Sequence, residues 1–264
     1  MIFIDQTKCT GCFQCVGDCI VKVLQKGEKY PVIPVENEKF CIHCQHCLAV
    51  CPTGAISVDG VTPEMISPAG QGATPEAMLS TLRNRRSIRQ FKPQEVDAAT
   101  LEKLTDALRY SPTGCNDHRL KFAVVKSRAE MDAFRAINRK QLQFLLKSGL
   151  LKLFYPRICR YLDDLERDLV FRGAPHMIVA LTPKNAPCAA VDPVIALEQF
   201  ELYAQTFGIG CCWCGFAVYA INCSRAMKKR LAIPRGYRVG YVLLFGYPAV
   251  SYPRCTLPEK AEIL

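Results

Sequence analysis

Several signatures that place proteins in familiar classes are missing from this chain of 264 residues. Its longest apolar stretch, Gly208 to Ile221, is too short to span a bilayer and is broken by Gly, Cys and Trp, so no membrane insertion is expected. The opening Met1-Ile2-Phe3-Ile4-Asp5 has no basic start ahead of an apolar core, which argues against a secretory leader and an oxidising destination. There is no Ser–His–Asp set, no HExxH and no P-loop. Gly208-x-Gly210 lacks a third glycine and follows a helical pattern, so it fails the context test for a dinucleotide fingerprint. Arginines are not interleaved with aromatics along one stripe, and no nucleic-acid module is recognisable, so no nucleic acid is expected as a partner. There is no internal repeat outside one set of cysteines.

Those cysteines form two strings: Cys9, Cys12, Cys15, Cys19 and Cys41, Cys44, Cys47, Cys51. Each reads C-x2-C-x2-C-x3-C, and the second ends in Cys51-Pro52. Grouped thiolates are soft ligands that select zinc, copper(I) or iron–sulfur centres. Two-residue gaps let three sulfurs converge on one small object from a tight loop, and a fourth must arrive from elsewhere. Structural zinc sites use pairs of cysteines across a longer spacer, and a disulfide framework needs an oxidising compartment. The strings resemble the ligand run of bacterial two-cluster ferredoxins, in which the fourth cysteine of each run serves the other cluster. That resemblance implies Cys9, Cys12, Cys15 and Cys51 on one 4Fe-4S cluster, and Cys41, Cys44, Cys47 and Cys19 on the other, with electron transfer as their business. One departure is Ile20 after Cys19, where the family often has proline. About 60 residues is marginal for an independent core, so the clusters would supply cross-links. His43 and His46 read as solvent-facing loop residues, because cysteine already fills the coordination places.

Length and charge divide the chain in two. The expected layout is a cluster domain at 1–62, a Pro- and Gly-containing linker at 63–76, and a second domain at 77–264. Residues 1–62 hold five Lys and six Asp or Glu, a balance of −1, which leaves +11 of the total +10 for residues 63–264. Each ligated 4Fe-4S unit adds about −2 when oxidised, taking the first domain to about −5. An acidic electron-carrying module is thus joined to a basic one, and the basic one suits an anionic cofactor. The apolar, basic run Leu142 to Tyr155 reads as a substrate lid or dimer-contact helix before an interfacial membrane helix.

In the second domain, Thr74-Pro75 looks like an N-cap with proline at the first helical position, and Met78, Leu79 and Leu82 then share one face. A second helix covers about Ala98 to Tyr110, with Leu101, Leu104 and Leu108 in register, and stops at Ser111-Pro112. Lys121–Val125, Met177–Leu181 and Val239–Phe245 read as strands. Asp192-Pro193 opens another helix by the same N-cap and proline pattern, amphipathic through Gln205 and ending at Gly208.

Four stretches then fall in order: Arg85-Arg86-Ser87-Ile88-Arg89-x-Phe91, Ser111-Pro112-Thr113-Gly114-Cys115-Asn116, Gly208-Ile209-Gly210-Cys211-Cys212-Trp213-Cys214-Gly215, and Phe245-Gly246-Tyr247-Pro248. Together they resemble the nitroreductase family from about Met78 to Pro258. The resemblance implies an α+β fold, with a mixed β-sheet and flanking helices, in a homodimer with FMN at the interface. An FMN phosphate wants fork-shaped donors, which arginine supplies. Arg85, Arg86 and Arg254 are the phosphate candidates, with Ser87 on phosphate or ribityl and Arg89 at the ring carbonyl O2. By the same resemblance Pro112, Thr113, Gly114 and Asn116 would touch the flavin of the partner subunit. Cys212, Trp213, Cys214 and Gly215 would line the ring, Gly215 admitting main chain close to it. Cys211 and Cys214 could form a redox pair, but no thioredoxin-like βαβ context surrounds them, and buried small apolar residues are the plainer reading. Cys115, Cys159, Cys188 and Cys255 have no ligand spacing, and His176 reads as structural.

The sequence therefore reads as a two-cluster ferredoxin domain fused to a nitroreductase-like FMN domain, in a reducing cytoplasm. Electrons would pass from two 4Fe-4S clusters through FMN to a small acceptor: a nitroaromatic, quinone or activated alkene. External ferredoxin or NAD(P)H would be the donor. The FMN itself would carry the chemistry, with no obligatory side-chain acid. The alternatives are an electron carrier or sensor serving protein partners only, and a reductive dehalogenase or flavin-processing enzyme.

Overall fold

The computed structural model describes residues 1–147 and 168–264. It divides into two compact units, Met1–Gly72 with Cys115–Asp117, and Ala73–Gly114 with His118–Leu264.

In the first unit, β1 (Ile2–Ile4) pairs antiparallel with β4 (Ile56–Val58), so the two ends of the cysteine-bearing segment are zipped together. A second hairpin joins β2 (Gln25–Lys26) to β3 (Pro31–Val32). Three short helices complete it: α1 (Gln14–Asp18), α2 (Val35–Glu38) and α3 (His46–Ala49). Ile2, Val23, Leu24, Leu48, Ile56 and Val58 form a small core together with the Cys15 and Cys47 thiols. Val21 and Val35, which alternate like strand residues, are exposed. The expected linker is partly packed: Pro63–Met65 forms a 3-10 turn, and Ile66 lies against this core.

The second unit is built on a four-stranded sheet in the order β5-β6-β8-β7: β5 (Lys121–Val125), β6 (His176–Pro183), β7 (Gly210–Trp213) and β8 (Tyr237–Gly246). Helices α4 (Pro75–Asn84), α5 (Ala98–Asp106), α6 (Arg128–Lys147), α7 (Asp192–Thr206), α8 (Gly215–Asn222) and α9 (Arg225–Arg230) pack around it. Side chains of β6 and β8 alternate between two cores. Met177, Val179, Val242 and Leu244 face one, with Met131, Phe134 and Ile221; Ile178, Ala180, Leu243 and Phe245 face the other, with Leu104, Leu197 and Phe200. Both faces are covered, which is why these strands read as unbroken apolar runs. Each fully buried Leu, Ile or Phe contributes about 1.5–3 kcal/mol.

The sheet expected as mixed is antiparallel through all four strands, and its parallel element is a single bridge between Ser87 and Cys211. The reason lies in the crossover. β6 and β7 run the same way on either side of α7, as in a βαβ unit, but β8 fills the place between them and runs against both.

Two helices of the second unit begin as their local chemistry requires. The Thr74 hydroxyl accepts from Ala77 N–H at 3.2 Å, and the Asp97 carboxylate accepts from Thr100 N–H at 2.9 Å. α5 tightens into a 3-10 turn over Ala107–Tyr110 before Ser111-Pro112. Asp192, expected as an N-cap, lies inside the first turn of α7 instead. Its buried carboxylate accepts the Gly114 N–H at 3.0 Å, pinning the Pro112–Gly114 loop to that helix. Gly208 does end α7, at φ +71°. Met78, Leu79 and Leu82 share a face of α4 as expected, but that face is exposed. Of the Leu142–Tyr155 run, residues 142–147 close α6 and the rest, like Cys159, lie outside the described residues. Among the described residues no helix is long and apolar enough to cross a membrane.

His176 is a buried structural hinge pin between elements. Its Nε2 accepts the Val96 N–H at 2.9 Å, its Nδ1 faces the Val125 carbonyl at 3.3 Å, and its ring stacks on Phe245. Burial lowers its pKa below the ordinary histidine value. The folded state therefore binds this proton less readily than the unfolded chain. The contribution to stability is fully present above the unfolded pKa of about 6.5, and is lost as pH falls toward the lower folded value. Chemical denaturation at pH 7.5 and pH 5.5 should show a lower midpoint at the acid pH, by a margin that shrinks in His176→Gln; equal margins in the two proteins would contradict this.

Candidate cofactor sites

The two cysteine loops share one backbone. Gly11 and His43 precede the second cysteine of their strings, and Phe13 and Gln45 follow it. All four are left-handed, at φ +68°, +56°, +57° and +60°. Two such reversals around one thiol curl each loop so that its cysteines face inward. The third cysteine, Cys15 or Cys47, then enters the first turn of α1 or α3 and is buried. At Gly11 the requirement is double, since a Cβ there would lie 2.5 Å from the Lys29 carbonyl oxygen. His43 bears a side chain in the same conformation, and its ring faces Asp59 at 2.5 Å; His46 faces Asp18 at 3.2 Å. Both histidines are exposed and neither points into the thiol sets.

Cys9, Cys12, Cys15 and Cys51 line one small cavity, so the fourth thiol comes from the opposite string. Among the described residues no three His, Cys, Asp or Glu side chains are grouped tightly enough to hold a single metal ion. Thiols spread around a space, not a point, suit an inorganic cluster better than zinc. Burial would raise the Cys51 thiol, but N–H groups of Ala55, Thr53 and Gly54 outweigh it and hold the pKa below its ordinary value. Ala55 N–H reaches Cys51 Sγ at 3.3 Å, and His43 N–H reaches Cys41 Sγ at 3.4 Å. Such donors are among the factors that set cluster potential. Cys47 is pushed up to about 12, chiefly by burial, so ligation there must displace a firmly held proton.

In the second unit the arginine motif runs alongside β7. Ile88 N–H donates to the Cys211 carbonyl at 2.8 Å, and Phe91 pairs with Pro248. A cavity of about 260 Å³ opens at this junction. Arg85 and Arg86 line it at the end of α4, with Glu201 and Gln205 from α7. Pro248, Val250, Tyr252 and Arg254, alternate residues of the arm that follows β8, also line it. Five buried side-chain polar atoms lack a partner among the described residues, and three belong to this lining: Arg86 Nη2, Glu201 Oε1 and Gln205 Oε1. An orphaned guanidinium donor beside two further arginines fits a phosphate group, and the orphaned amide oxygen fits a neighbouring hydroxyl.

Glu201 and Gln205 escaped the sequence reading. Glu201 sits between Phe200 and Ala204, four residues after Leu197, on an otherwise apolar helix face. A carboxylate in that stripe was the available signal. Its Oε2 accepts from Trp213 Nε1 at 2.6 Å, and its Oε1 stands 3.5 Å from Arg85 Nη1, near enough for charge pairing but without a hydrogen bond. Burial raises its pKa, against the opposing pull of Trp213 and Arg85.

The remaining expected residues are placed as follows. Ser87 bridges to Cys211, whereas Arg89 is exposed and does not line the cavity. Burial raises the Cys212 thiol, and the charges of Arg172 and Arg89 pull it back, so these two guanidiniums share its neighbourhood. Arg172 is a second residue the sequence did not single out. It is left-handed at φ +54°, in a turn braced by Asp168, which accepts from Phe171 N–H, Gly173 N–H and Arg135 Nε. Burial pushes Cys211 well up and Cys214 to about 11, and the Cys214 thiol donates to the Val170 carbonyl at 3.2 Å. All three thiols are unbridged and would be protonated at neutral pH. Trp213 tilts against Tyr241, and the N-terminus of α8 begins at Gly215. Pro112, Thr113 and Gly114 stay with the second unit, and Asn116 groups with the first.

The family model described as the nitroreductase family matches residues 82–247. The chain belongs to the nitroreductase family. It is an oxidoreductase of nitroreductase type, and a ferredoxin domain precedes the enzyme fold: a 4Fe-4S dicluster model matches residues 8–56. A ferredoxin from Methanothermococcus thermolithotrophicus is 40% identical over 60 residues, 22% of this chain and 95% of that protein. A Desulfitobacterium hafniense nitroreductase solved with bound FMN is 26% identical, with a TM-score of 0.58 over 71% of this chain and 96% of that one. A Bacteroides fragilis nitroreductase, also with bound FMN, has the same fold at 20% identity and a TM-score of 0.57, covering 71% and 98% of the two chains.

The close approach of motif and strand depends on Gly210. A Cβ there would lie 2.3 Å from Ile88 Cγ1 and 3.0 Å from Pro248 Cγ. Gly210→Ala should cost about 1–3 kcal/mol through forced displacement of Ile88. A denaturation midpoint unchanged from wild type would contradict that packing.

Proposed function

We propose that this chain receives electrons at two 4Fe-4S clusters and delivers them through a bound FMN to a small organic acceptor such as a nitroaromatic, quinone or activated alkene. The observation that carries the reading is the junction of Arg85, Arg86 and Arg254 around one cavity holding a buried guanidinium N–H without a partner. A phosphate ester of nearly two negative charges satisfies those groups. The FMN-bound nitroreductase from D. hafniense, at 26% identity, favours that ester being FMN.

Clusters transfer electrons singly, and flavin can take them up and release them as a pair. The chain's own residues then have these roles. Cys9, Cys12, Cys15 and Cys51 hold one cluster; Cys41, Cys44, Cys47 and Cys19 hold the other. Arg85, Arg86 and Arg254 hold the phosphate, with Ser87 at the ribityl end. Arg89, with Arg172, supplies positive charge beside Cys212, favouring negative charge on a reduced ring. Cys212, Trp213, Cys214 and Gly215 line the ring and exclude water. Pro112, Thr113, Gly114 and Asn116 complete the site from the partner subunit of a homodimer. Exposed Met78, Leu79 and Leu82 on α4, with Phe216 and Tyr219 on α8, supply apolar surface suited to such an interface. The donor is an external ferredoxin or NAD(P)H, in a reducing cytoplasm.

Anaerobic protein loaded with iron, sulfide and FMN tests this. NADH, NADPH and reduced ferredoxin are offered separately while cluster and flavin absorbance are followed, and acceptors are then added. The reading expects flavin reduction by one donor and steady turnover of an acceptor. Arg86→Ala should keep its iron and lose most of its flavin, and Cys51→Ala should lose about half its iron, given two clusters of equal size. Colourless protein that takes up zinc and no flavin would overturn the assignment.

A further inference from the structure

Three guanidiniums and one carboxyl group share the cavity at the end of α4. For a phosphate pocket the carboxyl is out of place, because an ionised Glu201 would face the incoming negative charge across a few ångströms. It is also only 2% exposed, with Oε1 lacking any hydrogen bond. Oε2 is already occupied by Trp213 Nε1 at 2.6 Å. The nearest cation, Arg85 Nη1 at 3.5 Å, is one of the groups the phosphate would claim.

Resting on the FMN reading above, we propose that Glu201 is a further binding residue of this pocket: it takes up a proton on Oε1 as the phosphate arrives and binds it as a neutral acid. With the pocket empty, Arg85 Nη1 stands 3.5 Å from Oε1 and its charge favours the carboxylate. When the phosphate engages Arg85, Arg86 and Arg254, one proton moves from solvent to Oε1. That O–H then donates to a phosphate oxygen, and Oε2 goes on accepting from Trp213. One proton is consumed for each phosphate bound, and no electron moves. An acid kept neutral in a buried site acts here as a donor, and a buried carboxyl beside a second anion favours its protonated form.

The charged and titratable groups facing Glu201 are few. Arg85 approaches from the end of α4, Glu198 from the same helix and the Cys211 and Cys212 thiols from β7; Arg86, Tyr252 and Arg254 line the shared cavity. Glu198 adds to the raising effect of burial, whereas Arg85 opposes it. Removing Arg85 to the phosphate therefore tips the group toward protonation.

The test uses iron-loaded, flavin-free full-length protein and titration calorimetry at pH 8 in two buffers of different ionisation enthalpy. A phosphate monoester, with a second pKa near 6, is almost fully dianionic there and contributes little uptake of its own. FMN should bind with measurable proton uptake, riboflavin with close to none, and FMN with Glu201→Gln with close to none. FMN affinity should fall as pH rises above 7.5 in the wild type, and less steeply in the variant. Trp213 is the single tryptophan of the chain, so its emission should report FMN binding and verify that the variant is folded. FMN and riboflavin binding with equal proton uptake to the wild type would overturn the role of Glu201 and leave the FMN site intact. FMN that fails to bind in every arm would overturn both.

Discussion

One backbone hydrogen bond organises the second unit: Ile88 N–H to the Cys211 carbonyl. It lashes the arginine motif to the free edge of β7, whose other edge is paired with β8. Everything at the cavity follows from that attachment. Arg85 and Arg86 can turn into the space because α4 stops just before them, and Glu201 and Gln205 reach it because α7 lies under the same strand. The arm after β8 is held by the Phe91–Pro248 bridge, and its Arg254 also lines the cavity. Three segments far apart in sequence thus meet around one anion-sized space. The bond forms only because Gly210 leaves room for Ile88.

The first unit depends on a different constraint. Its core is too small to stand on apolar packing alone, and two of its buried members are thiols, Cys15 and Cys47. The left-handed residues Phe13, His43 and Gln45 beside Cys12 and Cys44 carry a conformational cost that glycine at position 11 does not. The second unit, by contrast, has two extensive apolar cores of its own.

Elements with strong local signals were legible in the sequence. The strands over Lys121–Val125, His176–Pro183 and Tyr237–Gly246 contain the expected runs, and the helix starting at Pro75 has its threonine cap. What the sequence could not give was tertiary. Asp192 has the composition of a cap, yet a distant N–H from Gly114 claims its carboxylate. The insertion of β8 between β6 and β7 is invisible to periodicity, since pairing partners are chosen by the whole sheet. Arg85, Arg86 and Arg254 were nominated from motif and charge, and the cavity brings all three together. Ser87, Arg89 and Cys212 to Gly215 lie outside that cavity, along and beyond the same strand. Glu201 was missed because an acid in an apolar stripe carries no motif. Arg172 was missed because its left-handed backbone is imposed by Asp168 and Arg135, not by its own identity.

The duplicated thiol loops are alike in backbone and unlike in freedom. Position 11 is locked to glycine by the Lys29 carbonyl pressed against it, but position 43 already carries an imidazole and has room for it. A side chain is thus barred at position 11 and accepted at position 43, so the matching turns of the two loops do not tolerate the same residues.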